Sequence, residues 1–309
     1  MPQVVSIGNM LVEIMRVQLD EPLDRPGSFV GPFPSGDTPI YIDTAARLGH
    51  DAGFIGVVGD DGFGRLLLDR LQADGVDCTH VRVMPDNTTG VAFVAYFRDG
   101  SRSFLYHWRH AAAGQLAPAD VSPAYLAGTR WLHVTGCNLA ITDSAREACY
   151  AALRGVPADA TVSFDPNIRP GVLSMQQIRE LCRPAIKRAS VVLPSLGEAA
   201  MLTGAASDET GCWQWAAQGK VVVLKMGEKG CRVFSGGEDV VVPSFPVEEI
   251  DPTGAGDSFC AGFTVARLDG MALPAAARFA NAVGALAVTK KGPMEGAPWR
   301  SDVEALLAG

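Results

Sequence analysis

Residues 249–263 read EIDPTGAGDSFCAGF: two acids, Asp251 and Asp257, set around a proline and two glycines and running directly into an apolar stretch. The preceding Val247–Ile250 suits a strand, and Asp251-Pro252-Thr253 cannot continue one easily, because proline has no N–H for a ladder. Gly254-Ala255-Gly256-Asp257 then opens a helix whose buried face carries Phe259, Phe263 and Ala266. Glycines let a ligand approach the backbone closely, and the first-turn N–H groups point at it with the positive end of the helix dipole. That is an anion site. An aspartate at its head repels the anion, unless its carboxylate takes a proton from a hydroxyl while the N–H groups stabilise charge on a phosphoryl group. Read this way, Asp257 is a general base that also touches the substrate, and the Gly254, Ala255 and Gly256 backbone is the anion hole. An isolated Gly-Asp more often marks only a helix start with a first-turn acid. The rest of the chain has to decide.

Outward from this stretch, short β-branched runs alternate with helical patterns. Residues 4–8, 52–59, 131–136, 161–165, 190–195 and 221–225 read as buried strands, and 63–75, 142–155 and 175–189 carry apolar residues at helical spacing. Such alternation predicts an α/β fold with a mostly parallel central sheet and helices on both faces. Two regions break it, 10–36 and 81–107, the second reading as a strand meander with a turn at Asp99-Gly100. We therefore expect one domain over 1–309 with a small β lid built from about 10–36 and 81–110.

The net charge of −8 over 309 residues argues against a nucleic-acid or membrane-surface binder, since phosphate-rich partners want a basic face. Seven cysteines without Cys-x-x-Cys spacing read as buried thiols of a reducing compartment. The N-terminus has no basic n-region or small-residue cleavage site, so a cytoplasmic location is expected. GDDGFG at 59–64 lacks dinucleotide-binding spacing, and no Walker A sequence occurs.

DPTGAGDSFCAGF closely resembles the C-terminal signature of the ribokinase (PfkB) family of carbohydrate kinases, and the similarity extends along nearly the whole chain, including residues 44–68 and 221–234. The resemblance implies a ribokinase-like fold, ATP and Mg²⁺, with K⁺ as a further ion near Asp251 and Thr253. It places Asp257 as catalytic base, puts Lys225, Gly227 and Gly230 along the nucleotide, and turns Asn281 towards the adenine. Dimerisation through the lid is also implied. Many relatives carry Asn-x-x-Glu where this chain has Ser195-Leu196-Gly197-Glu198, so Glu198 is expected to hold Mg²⁺ through water, with Ser195 beside the phosphates. Ile40 stands where relatives place a sugar-binding Asn, leaving Gly36 and Asp37 to meet hydroxyls.

Two arginines bear on the acceptor. Tyr106 and Arg109, in FLYHWRHAAAG, and Arg169, in SFDPNIRPGVL, resemble segments of 2-keto-3-deoxygluconate kinases, and paired guanidiniums suit a sugar carboxylate. Asn167 would reach the phosphates. The leading expectation is thus phosphorylation of 2-keto-3-deoxygluconate. Fructokinase or tagatose kinase is the alternative, since ketose kinases carry similar segments. A nucleoside kinase comes next, and a non-catalytic sugar-binding protein is the reading from another class.

Overall fold

Val4–Ile7 is buried at every position, with Val4 feeding one core and Val5 and Ile7 another. A strand buried on both faces requires cover on both, which is the reason helices alternate with strands along this chain. The computed structural model describes residues 1–168 and 173–309, and its strands, β1 to β13 in chain order, form two sheets. The large sheet runs β13 (Glu238–Val242), β12 (Cys231–Ser235), β11 (Val221–Lys225), β10 (Val191–Val192), β9 (Thr161–Asp165), β8 (Trp131–Thr135), β1 (Val4–Ile7), β4 (Ala52–Gly59) and β5 (Asp77–Met84). It is parallel from β11 to β5, and β12 and β13 close one end antiparallel.

The small sheet is β3 (Phe29–Ser35), β2 (Leu11–Arg16), β6 (Gly90–Tyr96) and β7 (Arg102–His107). This is the expected lid, with one change of boundary. Residues 81–84 belong to β5 and pair in parallel with β4, so the lid's second segment begins at Gly90. The reason is register: β4 is apolar and buried throughout, and β5 covers the backbone groups on its outer side. The turn at Asp99-Gly100 joins β6 to β7, with Gly100 at φ 81°. Val247–Ile250, read as a strand, forms none; 243–250 is an irregular segment that ends where Ile250 and Asp251 donate to Val288 O.

Helices Asp37–Arg47, Ala255–Leu268 and Leu273–Ala287 cover one face of the large sheet, and Asp143–Gly155, Met175–Arg188 and Asp208–Ala216 cover the other. Phe259, Phe263 and Ala266 are buried as their spacing predicts. The seven cysteines are free thiols, six buried and Cys78 partly exposed. Among the described residues no helix is long and apolar enough to cross a membrane. The C-terminal ends of β1, β8, β9 and β11 converge under the lid, the place where open α/β sheets bind ligands.

Candidate active site

Gly254 caps the helix Ala255–Leu268 at φ 83°, and a Cβ there would lie 2.3 Å from Pro293 O, so only glycine fits. The first backbone bond of the helix runs from Ser258 N to Gly254 O (2.9 Å), which leaves the Gly256 and Asp257 N–H groups ahead of the intrahelical ladder. A Cβ on Gly256 would meet Lys225 Nζ at 3.7 Å, an ordinary contact distance, and Gly256 lines the cavity on this side of the turn. Gly254, Gly256 and Asp257 all line a cavity of about 310 Å³ between lid and large sheet.

Across the cavity floor, Asp37 starts its helix from a Gly36 at φ 116°. Its Oδ1 accepts from Asn9 Nδ2 (2.9 Å), Asn138 Nδ2 (3.1 Å) and Thr38 N (2.9 Å). Its Oδ2 accepts from Thr135 Oγ1 (2.6 Å) and Asn167 Nδ2 (2.9 Å). Asp37 lines the cavity as expected, but it also ties together the ends of β1, β8 and β9. Asn167 sits at φ 38°, a left-handed conformation an asparagine tolerates, with its N–H donating to Asp165 Oδ1 (3.1 Å). Ile40 gives the wall an apolar patch where an Asn would have been polar.

The lid contributes one face of its strands. Arg102, Phe104, Tyr106 and Trp108 are two residues apart and all line the cavity, with Tyr106 stacked on Phe104 (centroids 5.4 Å) and on Trp108 (4.3 Å). Arg109 is exposed and does not line the cavity. It is out of step with the period-two face, on which Arg102 brings a guanidinium to the cavity wall. Arg169 lies outside the described residues. At the lid tip the cross-strand pair Tyr96 and Arg102 reaches the anion loop. Tyr96 OH donates to Asp251 Oδ1 (3.0 Å) and lies 2.8 Å from Thr253 Oγ1, while Arg102 Nη1 approaches Thr253 Oγ1 at 3.4 Å. Asp251 also accepts from Thr253 N and Gly292 N, each at 3.0 Å, so its carboxylate joins lid, loop and C-terminal segment.

Beneath the loop lies a buried polar cluster. Lys225 Nζ donates to Asp165 Oδ2 at 2.5 Å and to Cys260 Sγ at 3.5 Å. Burial opposes its charge, but the Asp165 carboxylate, with Cys260 and Glu198 nearby, more than offsets this and holds the ammonium above its ordinary pKa. Glu198 accepts from Ile168 N and Ser195 N, both 2.7 Å. Burial first, then the Asp165 charge, push its carboxyl up to about 7, against the pull of Lys225. Ser195, Asn167 and Glu198 all line the same cavity. A second cavity of about 740 Å³ opens beyond the loop, lined by Lys225, Gly227, Gly230, Phe259, Gly284 and Asn281 among others. Only glycine fits at 230, where φ is 89° and a Cβ would meet Val242 O at 2.1 Å. Asn281 spends its amide on Val242 O and Pro243 O (both 3.0 Å), so it shapes this cavity by fixing the end of β13.

Asn9, Glu13, Arg102 and Asp165 line the site without having been singled out by sequence reasoning. A signal existed for Glu13, the lone acid in the apolar run LVEIM, now buried with Ser35 Oγ 3.4 Å from its carboxylate. Among the described residues no cluster of three or more His, Cys, Asp or Glu side chains could cage a metal.

A carboxylate at the head of a glycine-capped helix start, between a polar cavity under a lid and a larger cavity beside a strand end, is an arrangement suited to a phosphotransferase with an alcohol acceptor. The model of the pfkB family carbohydrate kinases matches residues 1–300, and the chain belongs to that family. It is 32% identical to the "Probable fructokinase-4" of Arabidopsis thaliana, over 99% of this chain and 97% of the relative. A candidate ribokinase II from E. coli, solved in complex with ATP and Mg²⁺, matches with a TM-score of 0.93 at 37% identity, covering 100% of this chain and 99% of that one. Fructokinase from Vibrio cholerae, solved with fructose, ADP and calcium, matches with a TM-score of 0.84 at 30% identity and 99% coverage of both chains. The fold is ribokinase-like, and the protein is an ATP-dependent carbohydrate kinase.

Proposed function

We propose that the acceptor is a neutral ketose of the fructose type, phosphorylated on a hydroxyl presented to Asp257. The observation that carries this reading is the charge of the cavity wall. Glu13, Asp37, Asp165, Glu198 and Asp257 line it; of the described cations on it, Lys225 is paired with Asp165 and Arg102 leans towards the anion loop. Sugar hydroxyls donate to carboxylates, whereas a carboxylate on the sugar would meet repulsion there. Arg109 outside the wall removes half of the clamp on which a sugar acid depended. The fructokinase relatives add support from outside the chain.

In this reading ATP occupies the second cavity with its phosphates directed at Gly254–Gly256. Asp257 takes the hydroxyl proton as the sugar oxygen bonds to the γ-phosphorus, the bond to the ADP oxygen breaks, and the first-turn N–H groups receive the charge. Each Glu198 oxygen accepts one backbone N–H and retains a lone pair, a donor set that fits Mg²⁺ held through water, as that ion keeps several waters. When bound, Mg²⁺ neutralises phosphate charge. Asp251 and Thr253 are the candidates for a K⁺ contact. Phe29 and Leu105, exposed on the lid, suit pairing of two lids in a homodimer, which light scattering would detect.

A second reading rests on the Phe104–Tyr106–Trp108 stack, which offers a base or imidazole a flat partner. ADP release should be measured with ATP and Mg²⁺ over fructose, tagatose, 2-keto-3-deoxygluconate, ribose, adenosine and aminoimidazole riboside. Fructose should show the highest kcat/KM. A preference for the keto-deoxy acid would overturn the neutral-ketose reading, and a preference for a riboside would favour the second.

A further inference from the structure

Among the described residues three line both cavities, Lys225, Pro252 and Gly256, and of these only Lys225 carries a charge. Its ammonium lies beside the position a Gly256 side chain would take, 3.7 Å from that Cβ, and so under the anion loop. It is held there by the Asp165 carboxylate at 2.5 Å and by Cys260 Sγ at 3.5 Å. The two cavities therefore meet at the Lys225 ammonium.

We propose that Lys225 is the cation that accompanies the phosphoryl group across the junction of the two cavities, and that Asp165 is the positioning residue that keeps it there. This rests on the second cavity being the nucleotide site. A cation fixed at the crossing acts more on the group in flight than on bound ATP, because its position is central to the junction and not to either cavity. Lysine suits the place: a compact point charge held at one point can meet equatorial oxygens without a fixed fork geometry. Asp165 spends one oxygen on Lys225 and the other on Asn167 N, so it locks the ammonium to the end of β9. The other ionisable groups that interact with Lys225 are Cys260 on the helix Ala255–Leu268, Glu198 on the helix Glu198–Thr203 and His133 on β8.

The test uses the full chain with ATP, Mg²⁺ and its best sugar. Lys225→Met should lower kcat by about a hundred- to a thousand-fold, the range for losing one transition-state donor, and change the Kd for ATP by less than about three-fold. ADP with aluminium fluoride, a mimic of the group in flight, should lose affinity in parallel with kcat. Asp165→Asn should lower kcat less and give its pH profile a new alkaline limb, because the buried ammonium loses the carboxylate that offsets burial. A purely structural Asp165 would not move that profile. If Lys225→Met does not fold, Lys225→Met with Asp165→Leu removes both charges and should fold yet turn over equally poorly. Retained kcat in a folded Lys225 variant, a loss confined to ATP affinity, or a wild-type pH profile in Asp165→Asn would each overturn the proposal. Ala285→Trp, which fills the second cavity, separates the two questions: ATP binding untouched by it would count against the nucleotide assignment itself.

Discussion

The anion loop and the lid face each other across one cavity, but the loop is anchored to a nine-stranded sheet covered on both faces, whereas the lid is a four-stranded sheet with Phe29 and Leu105 open to solvent. On the loop side, positions are set by contacts that tolerate no change. Gly254 sits against Pro293 O, Asp37 accepts five hydrogen bonds and Lys225 is locked to Asp165. On the lid side, aromatic faces and a few tip contacts to Thr253 and Asp251 do the positioning. On the proposed function, this difference places chemistry on the sheet side and acceptor selection on the lid side, since closely packed elements hold reacting groups in place and a wall of aromatic faces offers broad contact to a substrate.

The largest effect that would test this division is at the base. Asp257→Asn keeps the size of the side chain and should cost about a hundred- to ten-thousand-fold in kcat, with ATP affinity and Tm little changed. Wild-type turnover in folded Asp257→Asn would reduce Asp257 to a helix-start acid and remove chemistry from the sheet side. Gly254→Ala comes next. The φ of 83° alone costs an alanine roughly 1–2 kcal/mol, and the Pro293 carbonyl denies the added methyl its place. Turnover should fall more than ten-fold, and a crystal structure should show the loop displaced.

A third test concerns the strength of the sheet side itself. His133 is fully buried, stacks on Tyr41 with centroids 3.9 Å apart, and has its Nδ1 2.8 Å from Ser163 Oγ, which accepts from Trp131 Nε1 (2.8 Å). Burial first, with Lys225 adding to it and Asp165 opposing, pushes its pKa down from 6.5 to about 3. The folded protein therefore binds fewer protons than the unfolded chain between those values. Stability from this neutral histidine is complete above pH 6.5 and is lost as pH falls towards 3, by up to about 4 kcal/mol. Urea midpoints measured against pH should decline over that window, and His133→Asn should flatten the decline while lowering stability at pH 7.

The smallest effects belong to the lid. Tyr96→Phe removes the hydroxyl that reaches Asp251 and Thr253, and should cost about 0.5–1.5 kcal/mol, a few-fold in kcat/KM, through lid closure. Arg109→Ala should leave kcat/KM within about two-fold for neutral and acidic sugars alike. A selective loss on the acidic sugar would return Arg109 to the acceptor and blur the contrast between lid and sheet.

Residues 249–263 determined by themselves the helix start, its first-turn N–H groups with Asp257 beside them and the demand for glycine at 254, because helix starts and proline act over a few residues and need no partner. The strand and helix alternation likewise fixed a parallel sheet under two layers, since burial on both faces leaves its mark in each apolar run. Tertiary structure decided which side chains share a wall. Period two along β7 turned Arg102, and not Arg109, into the cavity, and β4 drew residues 81–84 out of the lid. The Lys225–Asp165–Cys260 cluster joins residues 35 to 95 positions apart in the chain, and no local pattern encodes a contact that only the packing of a helix on two strand ends creates.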